Sequence, residues 1–323
     1  MSAGVLLGLA VAAIAALLWY MIAVSGDSWS GALPLLRDDE QMLVEPLQKH
    51  VETIASSERN LHHPEALASA ARYLEQALSS QGYRVASQAI EDHARNLEVE
   101  LSGRDAGRGI VIVGAHYDSV FGAPGANDNG SGVAAVLELA TLLRDWKPRR
   151  TWRFVFFVNE EPPYFKTERM GSYAYTQRSR ARGESIVAMF SIETIGYFSD
   201  SPGSQRYPFP LGLFYPSRGD FLAFVANLGS RTLLHRTIGA FRTHAQFPSE
   251  GIAAPAWIPG VDWSDQWAFW RLGVQAVMIT DTAPYRYPHY HTMHDTPDKI
   301  DYARLARIVR ALEQTFREID GQI

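Results

Sequence analysis

Apolar positions along the chain fall into three kinds of run. The first is a single block, Val5–Val24 (VLLGLAVAAIAALLWYMIAV), inside an uncharged stretch that ends at Asp27. Twenty residues of helix cover ~30 Å, the thickness of a bilayer's hydrocarbon core. Trp19 and Tyr20 suit the membrane–water boundary. Residues 1–26 are therefore expected to be a transmembrane anchor. The alternative is a signal peptide cut before Gly26, with Ala23 and Ser25 as the small residues at the cut. Against it, no Lys or Arg precedes the run. The run also exceeds the roughly 7–15-residue apolar core of a signal peptide. No later run approaches a second span, so the rest is expected to form one soluble body on one side of the membrane.

In the second kind, apolar residues recur at helical spacing. Pro64–Gln81 does so and is stopped by Gly82; Ser131–Arg144 and Tyr302–Ile319 do so as well. Residues 27–42 read as a tether leading into a helix, and 43–323 as the folded domain. The third kind is short and almost continuously apolar: Ile110–Gly114, Trp152–Val158, Ser185–Ile192 and Val274–Thr280. Tyr83–Ile90, Asn96–Leu101 and Gly212–Tyr215 are further strand-like stretches. Strands apolar on both faces, alternating with helices, predict an α/β fold whose mostly parallel sheet is covered on both sides. Residues 203–263, rich in Pro, Gly and aromatics, read as a long elaboration between strands.

Composition narrows the function classes. With 30 Lys+Arg against 35 Asp+Glu, the net charge of −5 excludes a globally basic, nucleic-acid-coating protein. The basic clusters Lys147–Arg153 and Arg178–Arg182 read as solvated faces, so no nucleic-acid partner is expected. The 20% charged share, slightly below the usual about 25%, argues against disorder. The absence of Cys removes disulfides, thiolate metal sites and Cys nucleophiles together.

In open α/β sheets ligands bind at the carboxyl ends of the strands. Ala115-His116-Tyr117-Asp118-Ser119 follows the first buried strand, and Asn159-Glu160-Glu161 the second. Glu193 follows the third, and Asp281, Tyr290, His291 and Asp295 the fourth. The loop Pro124–Gly130 adds Asp128. Taken singly, each of these reads as a cap, a turn residue or a solvated charge. Taken together, they place many carboxylates after very apolar strands, with no Lys or Arg in the same segments. Buried carboxylates need positive charge, and a metal is the natural compensation. His with Asp/Glu and no thiolate suits Zn²⁺ or Mn²⁺. Five candidates exceed one catalytic Zn²⁺, whereas two ions sharing a carboxylate would use them all.

The motifs GAHYDSV (114–120), PGANDNGSG (124–132), NEE (159–161), IETIG (192–196) and YHTMHDTPDKID (290–301) resemble peptidase family M28, di-zinc metallopeptidases that are mainly aminopeptidases. The resemblance covers roughly Leu43 to the C-terminus and implies a three-layer α/β/α sandwich with a mixed, mainly parallel sheet. It implies two Zn²⁺ bridged by Asp128, with His116 and Glu193 completing one site, and Glu161 and His291 the other. Glu160 would act as general base on a water shared by the ions. Asp118 and Asp295 would orient the histidine ligands from behind, and Tyr290 would help stabilise the oxyanion. Substrates would be peptides with a free N-terminus, and the body would lie outside the cytoplasm, periplasmic or otherwise extracytoplasmic.

Three departures stand out. Many relatives have Asp where this chain has Glu193. Where they often read Ser-Asp-His, this chain reads Ser264-Asp265-Gln266. The stretch from Pro162-Pro163 to Ser172 is long. An apolar substrate pocket is expected from the late aromatics Phe241, Phe247, Trp257, Trp263, Trp267, Phe269 and Trp270, without assigning any one to it. A carboxypeptidase, a glutaminyl cyclase or a non-catalytic membrane-tethered binding ectodomain are the rival readings.

Overall fold

The computed structural model describes residues 2–323. Helix α1 (Ala3–Ile22) stands at the N-terminus with its side chains largely exposed. The expected tether is shorter than the pattern suggested, because α2 (Asp38–Ile54) begins at three acidic residues, Asp38, Asp39 and Glu40. Acidic side chains favour a helix N-terminus, where the backbone dipole is positive. α3 (Pro64–Ser80) follows, with Pro64 in the first turn.

Eight strands then form one sheet: β1 (Ala86–Glu91), β2 (Ala94–Leu101), β3 (Ile110–His116), β4 (Thr151–Phe157), β5 (Ile186–Glu193), β6 (Leu222–Ala226), β7 (Ser249–Ala253) and β8 (Gln275–Thr280). Their spatial order is β1-β2-β4-β3-β5-β8-β6-β7. The central four, β4-β3-β5-β8, run parallel, while β2 and β6 join antiparallel. The sheet is thus mixed and mainly parallel, as expected.

Alternation along each strand divides the cores. Trp152, Phe154 and Phe156 of β4 pack on one face, under α2, α4 (Gly132–Leu143), α6 (Arg231–His244) and α9 (Tyr302–Ile319). Val155 and Phe157 pack on the other, under α5 (Gly171–Ala181) and α7 (Gln266–Arg271). A one-turn helix, α8 (Ala283–Arg286), follows β8. Burial on both faces accounts for the continuous apolar runs.

The 203–263 stretch corrects one expectation. Gly212–Tyr215 is no strand: Leu211–Leu213 is a single 3₁₀ turn. Pro208, Pro210 and Pro216 crowd this segment, and a residue without an N–H cannot serve a ladder. The strands lie further on, as β6 and β7, with α6 between them.

The segment after α1 is docked on the body. Arg231 donates to the carbonyls of Tyr20 and Ala23, and Arg242 to those of Ser25 and Gly26. The backbone N–H of Ser249 donates to the Ser28 hydroxyl, and Arg307 donates to the Pro34 carbonyl. Met21 is buried in an apolar cluster with Phe221, Val225 and Ile252.

Leu312 on α9 is fully buried against the sheet. Leu312→Ala is expected to cost about 2–5 kcal/mol of unfolding free energy. Urea denaturation would show it as a lower midpoint at unchanged slope.

Candidate metal centre

The parallel strands deliver their chemistry to one edge. β3 ends at His116, β5 ends at Glu193, and β4 leads through Asn159 into Glu160-Glu161. Asn159, Thr194 and His291 have φ of +58°, +45° and +57°. This left-handed region costs a non-glycine residue roughly 1–2 kcal/mol. Thr194 adjoins a candidate ligand, His291 is one, and Asn159 adjoins the candidate base Glu160, so the chain turns sharply where the side chains must face the rim. Gly125, at φ +65°, opens the loop that carries Asp128. A Cβ there would sit 2.3 Å from the Asp128 carbonyl oxygen, so the tight loop needs glycine.

Asp128 sits at the middle, fully desolvated apart from a sliver of its surface. Nε2 of His116 lies 3.4 Å from its Oδ1, and Nε2 of His291 lies 3.0 Å from its Oδ2. Glu193 Oε2 is 3.3 Å from the same nitrogen of His116. Glu161 Oε2 is 3.4 Å from that of His291. The five residues therefore form two groups that meet at Asp128. Glu160 reaches in from the side, its Oε2 3.8 Å from His116 Nε2.

These residues fit a metal. Nε2 of His116, Nε2 of His291 and Oε1 of Glu161 are buried and make no hydrogen bond. One donor atom each from His116, Asp128 and Glu161 lie within 4.8 Å of one another. Imidazole nitrogens and carboxylate oxygens that converge with hydrogen-bonding capacity left unused suit a borderline cation such as zinc.

The charges agree. Burial pushes Glu160 and Glu161 well above the ordinary carboxylate range, and neighbouring carboxylates add to the push. Burial pulls His116 down, but Glu193 and Glu160 outweigh it and hold the imidazole well above its usual value. Asp128, despite its burial, is held low by His116 and His291. The cluster is short of positive charge, which a divalent cation supplies.

The supporting groups act through the backbone. Asp118 was expected to hold a histidine, but its Oδ1 is 3.5 Å from His116 Nδ1, beyond a good hydrogen bond. It accepts instead from the backbone N–H of Glu160 and of Glu161, each at 3.2 Å. Asp295 likewise accepts from the backbone N–H of Asn127 and Asp128, at 2.8 and 3.1 Å, and from the Tyr287 hydroxyl. Both carboxylates brace the chain that carries the ligands. Asn129 ties the Asp128 loop to β5, donating to Ile192 O and Glu193 Oε2. Ser264 donates to the same Glu193 oxygen at 2.6 Å.

Two buried groups add to this picture. Arg59, 1% exposed, donates to the carbonyls of Tyr117, Pro124 and Gly125. It clamps the end of β3 to the Asp128 loop and faces Asp118, Asp295, Asp128 and Glu161. A cation therefore does lie beneath the site, supplied from the α2–α3 connection. Its spacing from the motifs gave no signal. Asp265 is fully buried with both oxygens unpartnered, and burial raises it to about 7 against the pull of His116. Its neighbour Gln266 turns to the Val261 carbonyl.

A cavity opens beside Glu193 and Tyr290, walled by Tyr207, Leu211, Val225, Ile252 and Met278. Of the late aromatics, Trp263 lines it, while Phe241, Phe247 and Phe269 are core and Trp257 is exposed. The Tyr290 ring stacks on His291 with centroids 3.8 Å apart.

The family model for peptidase family M28 matches residues 96–316. The chain belongs to peptidase family M28. An M28 chain is a metallopeptidase hydrolase by class, and the motifs read above lie within the matched residues. The protein YfbL of Escherichia coli (strain K12) is 33% identical over 295 residues, 87% of this chain and 89% of that one. Two solved structures share the fold. An aminopeptidase from Aneurinibacillus sp. strain AM-1 is 18% identical with a TM-score of 0.62, covering 86% of this chain and 95% of its own. The glutaminyl cyclase of Bacteroides thetaiotaomicron is also 18% identical with a TM-score of 0.62, covering 89% and 98%.

Arg59→Met strands three buried carbonyls and is expected to cost about 3–5 kcal/mol of stability. Arg59→Lys recovers only part, since an ammonium lacks the planar fork. Denaturant titration of both variants checks this. Asp118→Ala and Asp295→Ala are expected to weaken zinc binding about 10–100-fold, measured by competition with a chelator of known affinity.

Proposed function

We propose that the protein is a zinc-dependent aminopeptidase. The observation that carries this reading is the charge of the cavity. Its wall includes the carboxylates Glu193 and Glu250 and, among the described residues, no Lys, Arg or His. Such a wall attracts the ammonium of a free N-terminus and repels the carboxylate of a free C-terminus. This separates an aminopeptidase from a carboxypeptidase on one scaffold. The apolar lining takes the first side chain, and the complete set of ligand types and base argues against a binding-only ectodomain.

Two ions would fit the two groups that meet at Asp128: His116 and Glu193 would hold one with it, and Glu161 and His291 would hold the other. When bound, such ions polarise a carbonyl and acidify water. Glu160, beside the ligand groups with its Oε2 3.8 Å from His116 Nε2, takes the proton of the attacking water and hands it to the leaving amine. Asp118, gripping both glutamate N–H groups, keeps the base and its ligating neighbour on separate headings. Burial keeps the Tyr290 hydroxyl protonated, so it serves as a donor to the developing oxyanion. We also read α1 as an uncleaved anchor with the body on the extracytoplasmic face. Its exposed apolar surface and clamped end support this.

Glu160→Gln is expected to lower kcat on aminoacyl-p-nitroanilides by about 10²–10⁴-fold, with zinc content unchanged. Chelation should abolish release, and added zinc should restore it. N-acetylated substrates should resist cleavage. Pyroglutamate formation from an N-terminal glutamine peptide, without nitroaniline release from any residue, would favour the cyclase reading instead.

A further inference from the structure

Two loops of the 203–263 stretch carry large apolar side chains into solvent. Phe209, Leu213 and Trp257 are 92%, 75% and 80% exposed, and Phe214 is also exposed. Their chain neighbours Pro208, Leu211, Ile258 and Pro259 wall the cavity beside Glu193. Leu211, Tyr207, Tyr215 and Ile258 also belong to the apolar cluster that includes Met21 and Ile22, the last turn of α1. The exposed side chains therefore flank the point where the apolar helix meets the body.

Charge follows the same geography. Residues 203–219 hold Arg206 and Arg218, both exposed, and no Asp or Glu. Residues 251–261 carry no charge at all. Arg231 stands over the Tyr20 ring, 4.2 Å from its centroid. Apolar tips with basic flanks, gathered at the end of an apolar helix, are what a lipid interface recognises: hydrocarbon takes the tips and anionic headgroups take the arginines.

We propose that Phe209, Leu213, Phe214 and Trp257 form a collar that seats in the headgroup layer around the end of α1. The proposal rests on reading α1 as a membrane anchor. The collar borders the apolar cluster that holds the end of the helix, and the bilayer is therefore its proposed occupant. A protein partner would have to compete with lipid for that position. Seated this way, the outer wall of the cavity rests on the lipid surface, and the catalytic edge works on peptides close to the membrane.

The chain has no Cys, so single spin labels can be placed without background. The full chain would carry Phe209→Cys, Leu213→Cys or Trp257→Cys in nanodiscs of phosphatidylethanolamine and phosphatidylglycerol. Leu9→Cys serves as the hydrocarbon reference and Ser80→Cys, exposed at the end of α3, as the aqueous one. Power saturation compares accessibility to oxygen, which concentrates in lipid, with that to a water-soluble nickel chelate. The expected result is a higher oxygen-to-nickel ratio at 209, 213 and 257 than at 80, approaching that at 9. Collar labels that match Ser80 while Leu9 reads as lipid would overturn the collar and leave the anchor standing. Collar and Leu9 labels that are all aqueous would overturn both. Retained zinc-dependent aminopeptidase turnover in each variant confirms folding and separates these outcomes from failure of the catalytic reading.

Discussion

A carboxylate stripped of water must find positive charge, and the carboxyl edge of this sheet strips several at once. Asp118, Asp128, Glu160, Glu161, Glu193, Asp265 and Asp295 are all buried there. Asp128 is the hinge of the arrangement, because its two oxygens face two different imidazoles. The glycine at 125, the Asn127 and Asn129 bridges and the strained turns at 159, 194 and 291 all serve to hold that one carboxylate and its neighbours in place. The cost of crowding like charges is met in part by Arg59 and in part by backbone N–H groups. The remainder is the electrostatic work assigned to metal.

The sheet was legible because strands buried on both faces write unbroken apolar runs, and β3, β4, β5 and β8 appear where those runs lie. The convergence of the candidate site residues was legible because parallel strands put their C-termini on one side, so residues distant in sequence could be gathered before any contact was known. β6 and β7 were not legible. LAFVA and SEGIA are five residues each, inside a stretch dominated by Pro, Gly and aromatics, and their pairing depends on partners far along the chain. The Gly212–Tyr215 segment shows the converse error, an apolar run that prolines deny to a ladder.

Arg59 and the two bracing aspartates mark a different limit. The spacing of His116 to Asp118, and of His291 to Asp295, suggested side-chain partners for the imidazoles. The carboxylates grip main chain instead, which orients ligands just as firmly but leaves no residue-type signature. Arg59 lies 57 positions before His116. Only the folded chain shows that the α2–α3 connection runs under the site. Supports of this kind are spatial facts about main chain, and patterns of residue types do not encode them.

The docked stretch from Tyr20 to Ser28 has a mechanical consequence. Arg231 and Arg242 hold four of its carbonyls, so the end of the helix is tied to the body at several points rather than by a free tether. A body on a loose leash samples a hemisphere, and its reach grows with the leash. A body on a stiff mount keeps a constant standoff and a constant heading. On the proposed reading of α1 as a membrane anchor, every copy would present its candidate site at the same height, and what it meets would be governed by lateral diffusion and areal density within that one thin layer.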